Sequence, residues 1–137
     1  MTQGEAVAAA GFHRFLDAVA TRDLDAVVGC FTPGARYANV PHRPAVGRQA
    51  IRAMLEPLLL RSSEVRWDVL TEAVNGDRVV AERLDRFVVD GVEYAAPCCG
   101  VYVVDLGTGL IDEVRDYVDL GPWRASIRDV LDRPVGA

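Results

Sequence analysis

Two charged residues occupy a stretch where an apolar face is expected. In an extended strand, side chains two apart share a face, so Val79, Ala81, Arg83, Asp85, Phe87 and Val89 line one side of the segment Arg78–Val89. An arbitrary Arg-x-Asp is more often an exposed cross-strand ion pair. Here the apolar neighbours put the pair in the interior, where it survives only if well hydrogen-bonded, and a buried charged pair is a candidate functional site. The final strand repeats the pattern, with Asp116 between Val114 and Val118. On a short early strand Ala35, Tyr37 and Asn39 share a face. Taken alone, Tyr37 and Asn39 read as a rim tyrosine and a turn-capping asparagine, yet a phenol and a carboxamide can also hold a water molecule. Two carboxylates separated by one arginine are closest to neutral when they hold a single extra proton. One then serves as acid and the other as base, with apparent pKa values that belong to the pair.

Other chemistries find less support. All fifteen basic residues are arginine, and the absence of lysine excludes Schiff-base chemistry and a Walker-type phosphate lysine. His13 and His42 are the only histidines, with no second ligand at metal spacing, so no metal is expected. Neither a Ser-His-Asp nor a Cys-His triad is better supported. Gly107 and Gly109 read as a hairpin turn, because no helix follows them to cradle a phosphate. Cys30, Cys98 and Cys99 form neither a disulfide framework nor a CxxC motif. A reducing cytoplasm is the expectation, with all three thiols packed as small apolar groups and Pro97 marking a bulge or an edge. A net charge of −5 with no basic patch argues against nucleic acid and for a small uncharged ligand. Arg115 and Asp119 read as surface charges.

The elements that must position these residues follow from periodicity. At 137 residues and 50% apolar content, one domain spanning 1–137 is expected. No stretch reaches the roughly 18 apolar residues of a membrane span. Met1–Ala10 carries Glu5 and no basic residue before its short apolar run, so no signal peptide is expected. Apolar residues at helical spacing predict one helix over Glu5–Ala20 and a second from Leu24 to Phe31, stopped by Thr32-Pro33-Gly34. A short strand is predicted at Ala35–Val40 and a third helix at Arg48–Leu60. Strands over Glu64–Ala73, Arg78–Val89, Val92–Val104 and Leu110–Leu120 are separated by Asn75-Gly76-Asp77, Asp90-Gly91 and Leu106-Gly107-Thr108-Gly109, which are hairpin signals for an antiparallel meander. Trp123–Leu131 reads as a closing helix. In the last strand Leu110, Asp112, Val114, Asp116 and Val118 alternate with Ile111, Glu113, Arg115 and Tyr117. The sum is an α+β fold whose sheet wraps the helices and leaves a pocket between them.

Tyr37-Ala38-Asn39-Val40-Pro41, Glu82-Arg83-Leu84-Asp85 and Arg115-Asp116-Tyr117-Val118-Asp119-Leu120 together resemble the limonene-1,2-epoxide hydrolase family, whose members show Tyr-x-Asn-x-Pro, Arg-x-Asp and Arg-Asp-Tyr-x-Asp in this order. Val46-Gly47-Arg48-Gln49-Ala50-Ile51 is similar to the family's approach to its third helix. The likeness spans nearly the whole chain. It implies a cone-shaped fold of the nuclear-transport-factor-2-like (NTF2-like, SnoaL-like) type, with a curved mixed or antiparallel sheet around three to four helices, a homodimer, a deep apolar pocket and no cofactor. It further implies that Asp116 removes a proton from water held by Tyr37 and Asn39, that Asp85 protonates the epoxide oxygen, and that Arg83 lies between the carboxylates. Val114, where family members commonly carry an aromatic residue, departs from the pattern, as do Arg86 and the adjacent cysteines. The expected reaction is hydration of a small or medium apolar epoxide, such as a terpene, sterol or lipid derivative, to a vicinal diol. The alternatives on the same fold are a polyketide or polyether cyclase, a ketosteroid-isomerase-like enzyme, and a non-catalytic lipid- or steroid-binding module.

Overall fold

Helix α1 (Gln3–Thr21) opens the chain in the computed structural model, which describes residues 1–119, 121 and 127–132. Thr2 and Glu5 cap it reciprocally, each side chain accepting from the other's backbone N–H, which satisfies donors that the first turn leaves open. Its buried face carries Phe12, Phe15 and Val19. After a left-handed turn at Arg22 comes α2 (Leu24–Val28), whose first N–H groups are taken by the Asp23 carboxylate. The remaining elements are β1 (Phe31–Val40), β2 (Ala45–Val46), α3 (Arg48–Arg61), β3 (Glu64–Asn75), β4 (Arg78–Val89), β5 (Val92–Val104), β6 (Ile111–Val118) and a short α4 (Asp129–Asp132). The predicted closing helix is helical where α4 lies; its residues 123–126, like Leu120 of the predicted last strand, fall outside the described residues.

The six strands form one sheet in the order β2-β1-β6-β5-β4-β3. From β3 to β6 it is the expected antiparallel meander. The hairpin at Asp90-Gly91 places both residues at positive φ, 53° and 77°, the turn whose twist matches the flanking strands. Strand β1 lies parallel to β6, so of the mixed and antiparallel forms expected the sheet takes the mixed one. Other expectations need correction. Helix α2 ends before Phe31, and Thr32-Pro33-Gly34 lies inside β1 instead of ending a helix. The strand tolerates this proline because its register against β6 is interrupted between Phe31 and Arg36. A register shift between Val103 and Val104 also turns Asp112 outward and Ile111 into the core, reversing the predicted alternation at the start of β6. From Val114 onward the predicted faces hold, with Val114 and Asp116 buried.

The helices cover one face. Helix α1 packs against β3, β4 and β5, while α3 packs against β1 and α2. Close approach of α1 is made possible by Gly11, where a Cβ would stand 2.6 Å from the Gly109 carbonyl oxygen. The core between the layers is aromatic: Phe12 lies 4.6 Å from Tyr102, Phe15 5.3 Å from Phe31, and Phe31 6.1 Å from Tyr37, centroid to centroid. No described helix is long and apolar enough to cross a membrane.

Candidate active site

Arg83 is the largest fully buried side chain, and all five of its N–H groups are used. Nε and Nη2 donate to the two Asp85 oxygens at 3.0 and 2.9 Å, while Nη1 and Nη2 donate to Asp116 Oδ1 and Oδ2, both at 3.1 Å. The fifth, on Nη1, goes to the Tyr102 hydroxyl oxygen. Asp85 and Arg83 come from β4 by the two-residue repeat, and Asp116 comes from β6, two strands away. The arginine is also sandwiched: its Cζ lies 4.7 Å from the Trp67 ring centroid and 5.7 Å from that of Tyr102, adding cation–π attraction to a desolvated charge.

On β1, Tyr37 donates its hydroxyl to Asp116 Oδ2 at 2.7 Å. Asn39 is the register partner of Asp116 across the parallel pair and faces the same cavity. After Asn39 the chain turns sharply through a cis Val40–Pro41 peptide, with the His42 N–H donating to the Asn39 carbonyl at 2.8 Å. The turn brings His42 into the cavity wall, a position sequence gave no reason to assign.

That cavity has a volume of about 480 Å³, within the usual range for small-molecule sites. Met54, Leu55 and Leu58 of α3, Phe87 and Val118 of the sheet, and Leu131 of α4 supply its apolar wall. The two aspartates lie at its buried end, with side chains 14% (Asp85) and 5% (Asp116) exposed, while the exposed His42 and Arg128 lie at its solvent end. Arg83 does not reach the wall; it sits behind both carboxylates. The five predicted residues are thus brought together, with a division of labour the sequence did not show. Asp85, Asp116, Tyr37 and Asn39 face the cavity, and Arg83 holds the first two from the rear.

Electrostatics follow from this arrangement. Burial raises the Asp85 carboxyl; the hydrogen bonds and charge of Arg83 oppose the shift, and Asp116 adds to it. Burial works against the Arg83 charge, but Asp116 and Asp85 more than offset it and hold the proton firmly. The Tyr37 phenol is pushed well up by burial and by Asp116, so it is a donor and not a phenolate. Burial, then Asp116, also raises the thiol of Cys98, which lines the cavity with Sγ 3.3 Å from Arg83 Nη2. It is therefore held as a neutral thiol, not as the thiolate a nucleophile needs. Among the described residues no group of His, Cys, Asp and Glu is arranged to hold a metal ion.

Sequence reasoning missed Trp67, Tyr102 and Cys98, which enclose the cation. Cys99 departs from the expectation of packed thiols because it points to the exposed outer face. Pro97 lies in an interior strand, not at an edge, but beyond Cys98–Val118, the last pair between β5 and β6, so its missing N–H costs no ladder bond there. Arg115, read as a surface charge, is partly buried and paired with Glu113.

The family profile described as a SnoaL-like domain matches residues 12–114. Among solved structures, an LEH-like epoxide hydrolase from M. tuberculosis superposes with a TM-score of 0.76 at 24% identity, covering 93% of each chain. A protein described as a SnoaL-like polyketide cyclase from Shewanella denitrificans gives 0.78 at 14%, covering 90% of this chain and 98% of the other. The BvnE pinacolase from Penicillium brevicompactum gives 0.78 at 15%, covering 88% of each. At these identities the superpositions show a shared NTF2-like fold, and their activities differ.

Proposed function

This chain belongs to the SnoaL-like domain family, and on that premise we propose that it adds water to a small or medium-sized apolar epoxide in one step, without a cofactor. The observation that carries the reading is the pair of carboxylates at the closed end of an apolar cavity, bridged by one buried arginine. Opening an epoxide needs a proton removed from the incoming water and one delivered to the departing oxygen, each worth about 10²- to 10⁴-fold. The cluster supplies both. Asp116 takes a proton from water as the new C–O bond forms. Asp85 gives its own proton as the ring C–O bond breaks, and proton exchange with solvent resets the pair.

Tyr37 donates its hydroxyl hydrogen to Asp116 in a hydrogen bond, so the lone pairs of its oxygen are left to accept from the attacking water, with Asn39 beside it on the same strand. The water is then held against the base by two neutral groups. The exposed outer sheet face, which includes Val80 and Tyr117, supports a homodimer, to be read by sedimentation.

The experiment is incubation of the purified protein with a panel of terpene, sterol and fatty-acid epoxides, with mass spectrometry of the products. Vicinal diols above the uncatalysed level support hydration. Cyclised or rearranged products without uptake of water would instead place the chain with the cyclase-like neighbours, and binding without turnover would make it a carrier.

A pH dependence follows. Because burial holds the Asp85 proton above the ordinary carboxyl range, turnover should fall on the alkaline side as pH rises through that raised value and the acid is lost. The alkaline limb measured in kcat should disappear in Asp85→Asn. A rate that climbs steadily with pH would contradict Asp85 as the acid.

A further inference from the structure

We propose that Gly100 is a positioning residue for the acid–base pair: the missing side chain on β5 is the passage through which Arg83 reaches from β4 to Asp116 on β6. Neighbouring strands lie about 4.8 Å apart, so an arginine pairing with a carboxylate two strands away must cross the strand between. Gly100 stands in that path, paired with Ala81 on one side and with Asp116 on the other. The guanidinium lies across it as in a saddle. Cys98 flanks one side, with Sγ 3.3 Å from Nη2, and Tyr102 flanks the other, with its hydroxyl on Nη1.

A Cβ at position 100 would fall 2.6 Å from Asp116 Oδ1, 2.7 Å from Arg83 Nη1 and 2.9 Å from the Tyr102 ring. Each of these is closer than a carbon can stand. The polar atoms have little freedom to yield, because all five N–H groups of Arg83 are engaged and Asp116 is also held by Tyr37. Glycine inside a strand is otherwise a poor choice and marks close approach of other groups. The charged and titratable groups facing the cluster are Tyr37 from β1, Arg83 and Asp85 from β4, Cys98 and Tyr102 from β5, and Asp116 from β6. Among the described residues Arg83 is the only cation hydrogen-bonded to the two carboxylates, Arg128 lining the exposed part of the cavity. A methyl group at position 100 therefore separates Asp116 from its counter-charge and changes how the two carboxyls share their proton.

The inference rests on reading Asp85 and Asp116 as an acid–base pair, but its test needs no substrate. Protein with ¹³C-labelled aspartate carboxyls is titrated by NMR, as wild type and as Gly100→Ala. The last proton of the coupled pair should leave about one pH unit or more higher in the variant, the scale expected when a carboxylate loses an adjacent cation. Thermal unfolding is compared in parallel for Gly100→Ala in the wild-type and Asp116→Ala backgrounds. The variant should melt lower than wild type, or fail to fold, in the first background. In the second the loss should be clearly smaller, since the Asp116 contact is gone and Arg83, released from that partner, can move aside from the added methyl while the Tyr102 ring still crowds it. An unchanged titration overturns the proposal, as does equal destabilisation or failure to fold in both backgrounds. If these results hold while no epoxide is hydrated, the positioning role stands and the proposed reaction falls.

Discussion

Replacing Asp116 with asparagine is expected to lower turnover at least about 10²-fold in a protein that remains folded, and Asp85→Asn is expected to do the same. Each substitution keeps the shape of the side chain and removes one proton-transfer arm. The two should nevertheless fail differently. In Asp116→Asn the new amide oxygen can still accept from Arg83 and Tyr37, so the water remains in place with no group to take its proton. Asp85→Asn leaves the base intact and removes the donor, so only epoxides with a better-stabilised departing oxygen should react at a useful rate. Steady-state kinetics with circular dichroism of each variant checks both. Near-normal turnover in either would remove that carboxylate from the mechanism.

Arg83→Ala is the second large effect, and it falls on stability as well as activity. The substitution leaves two buried carboxylates facing each other without their cation, a situation that typically costs about 3 to 5 kcal/mol. The sign of its pH dependence follows from the cluster. In the native protein Arg83 is the influence that lowers the Asp85 pKa, against burial and Asp116, which raise it. Without Arg83 the folded-state values stand well above the unfolded ones, so stability is greatest at low pH and is lost as pH rises through the raised values. Urea unfolding at pH 4 and pH 8 should therefore show the variant much closer to wild type at pH 4. A variant as stable as wild type at pH 8 would mean that the ion cluster is not buried in solution.

Much of this was legible in one dimension because it is a matter of period. The alternation along Arg78–Val89 brought Arg83 and Asp85 to the face with Val79 and Phe87, and in the structure that face is buried. Asp116 was found by the same rule, and Tyr37 with Asn39 by theirs. Features depending on contact between distant segments were not legible. The parallel pairing of β1 with β6 joins residues far apart in the chain, and no local pattern reports it. The bulge that turns Asp112 outward displaces a strand by one residue, which reverses faces without altering composition. Trp67 lies within the predicted strand Glu64–Ala73, where nothing in its spacing marks it. It stands opposite Asp85 only because a register shift between Val69 and Thr71 sets the pairing. Gly100 carried a signal, a glycine in the middle of a strand between Cys98 and Tyr102, whose meaning depends on what crosses it.

In the proposed mechanism Asp116 activates water and does not itself attack carbon. Direct attack would give an aspartyl ester, whose hydrolysis needs a second base, usually a histidine. His13 pairs with Glu72 at the surface, and His42, although it lines the cavity, is exposed to solvent where both aspartates are buried or nearly so. The deciding measurement is a single turnover in ¹⁸O-labelled water with enzyme in excess over an epoxide, reading both the diol and the Asp116 peptide by mass spectrometry. One-step hydration predicts one ¹⁸O in the first-turnover diol and none in Asp116. An unlabelled diol, followed by label in Asp116, would show that the protein donated the oxygen through a covalent ester and would contradict the mechanism.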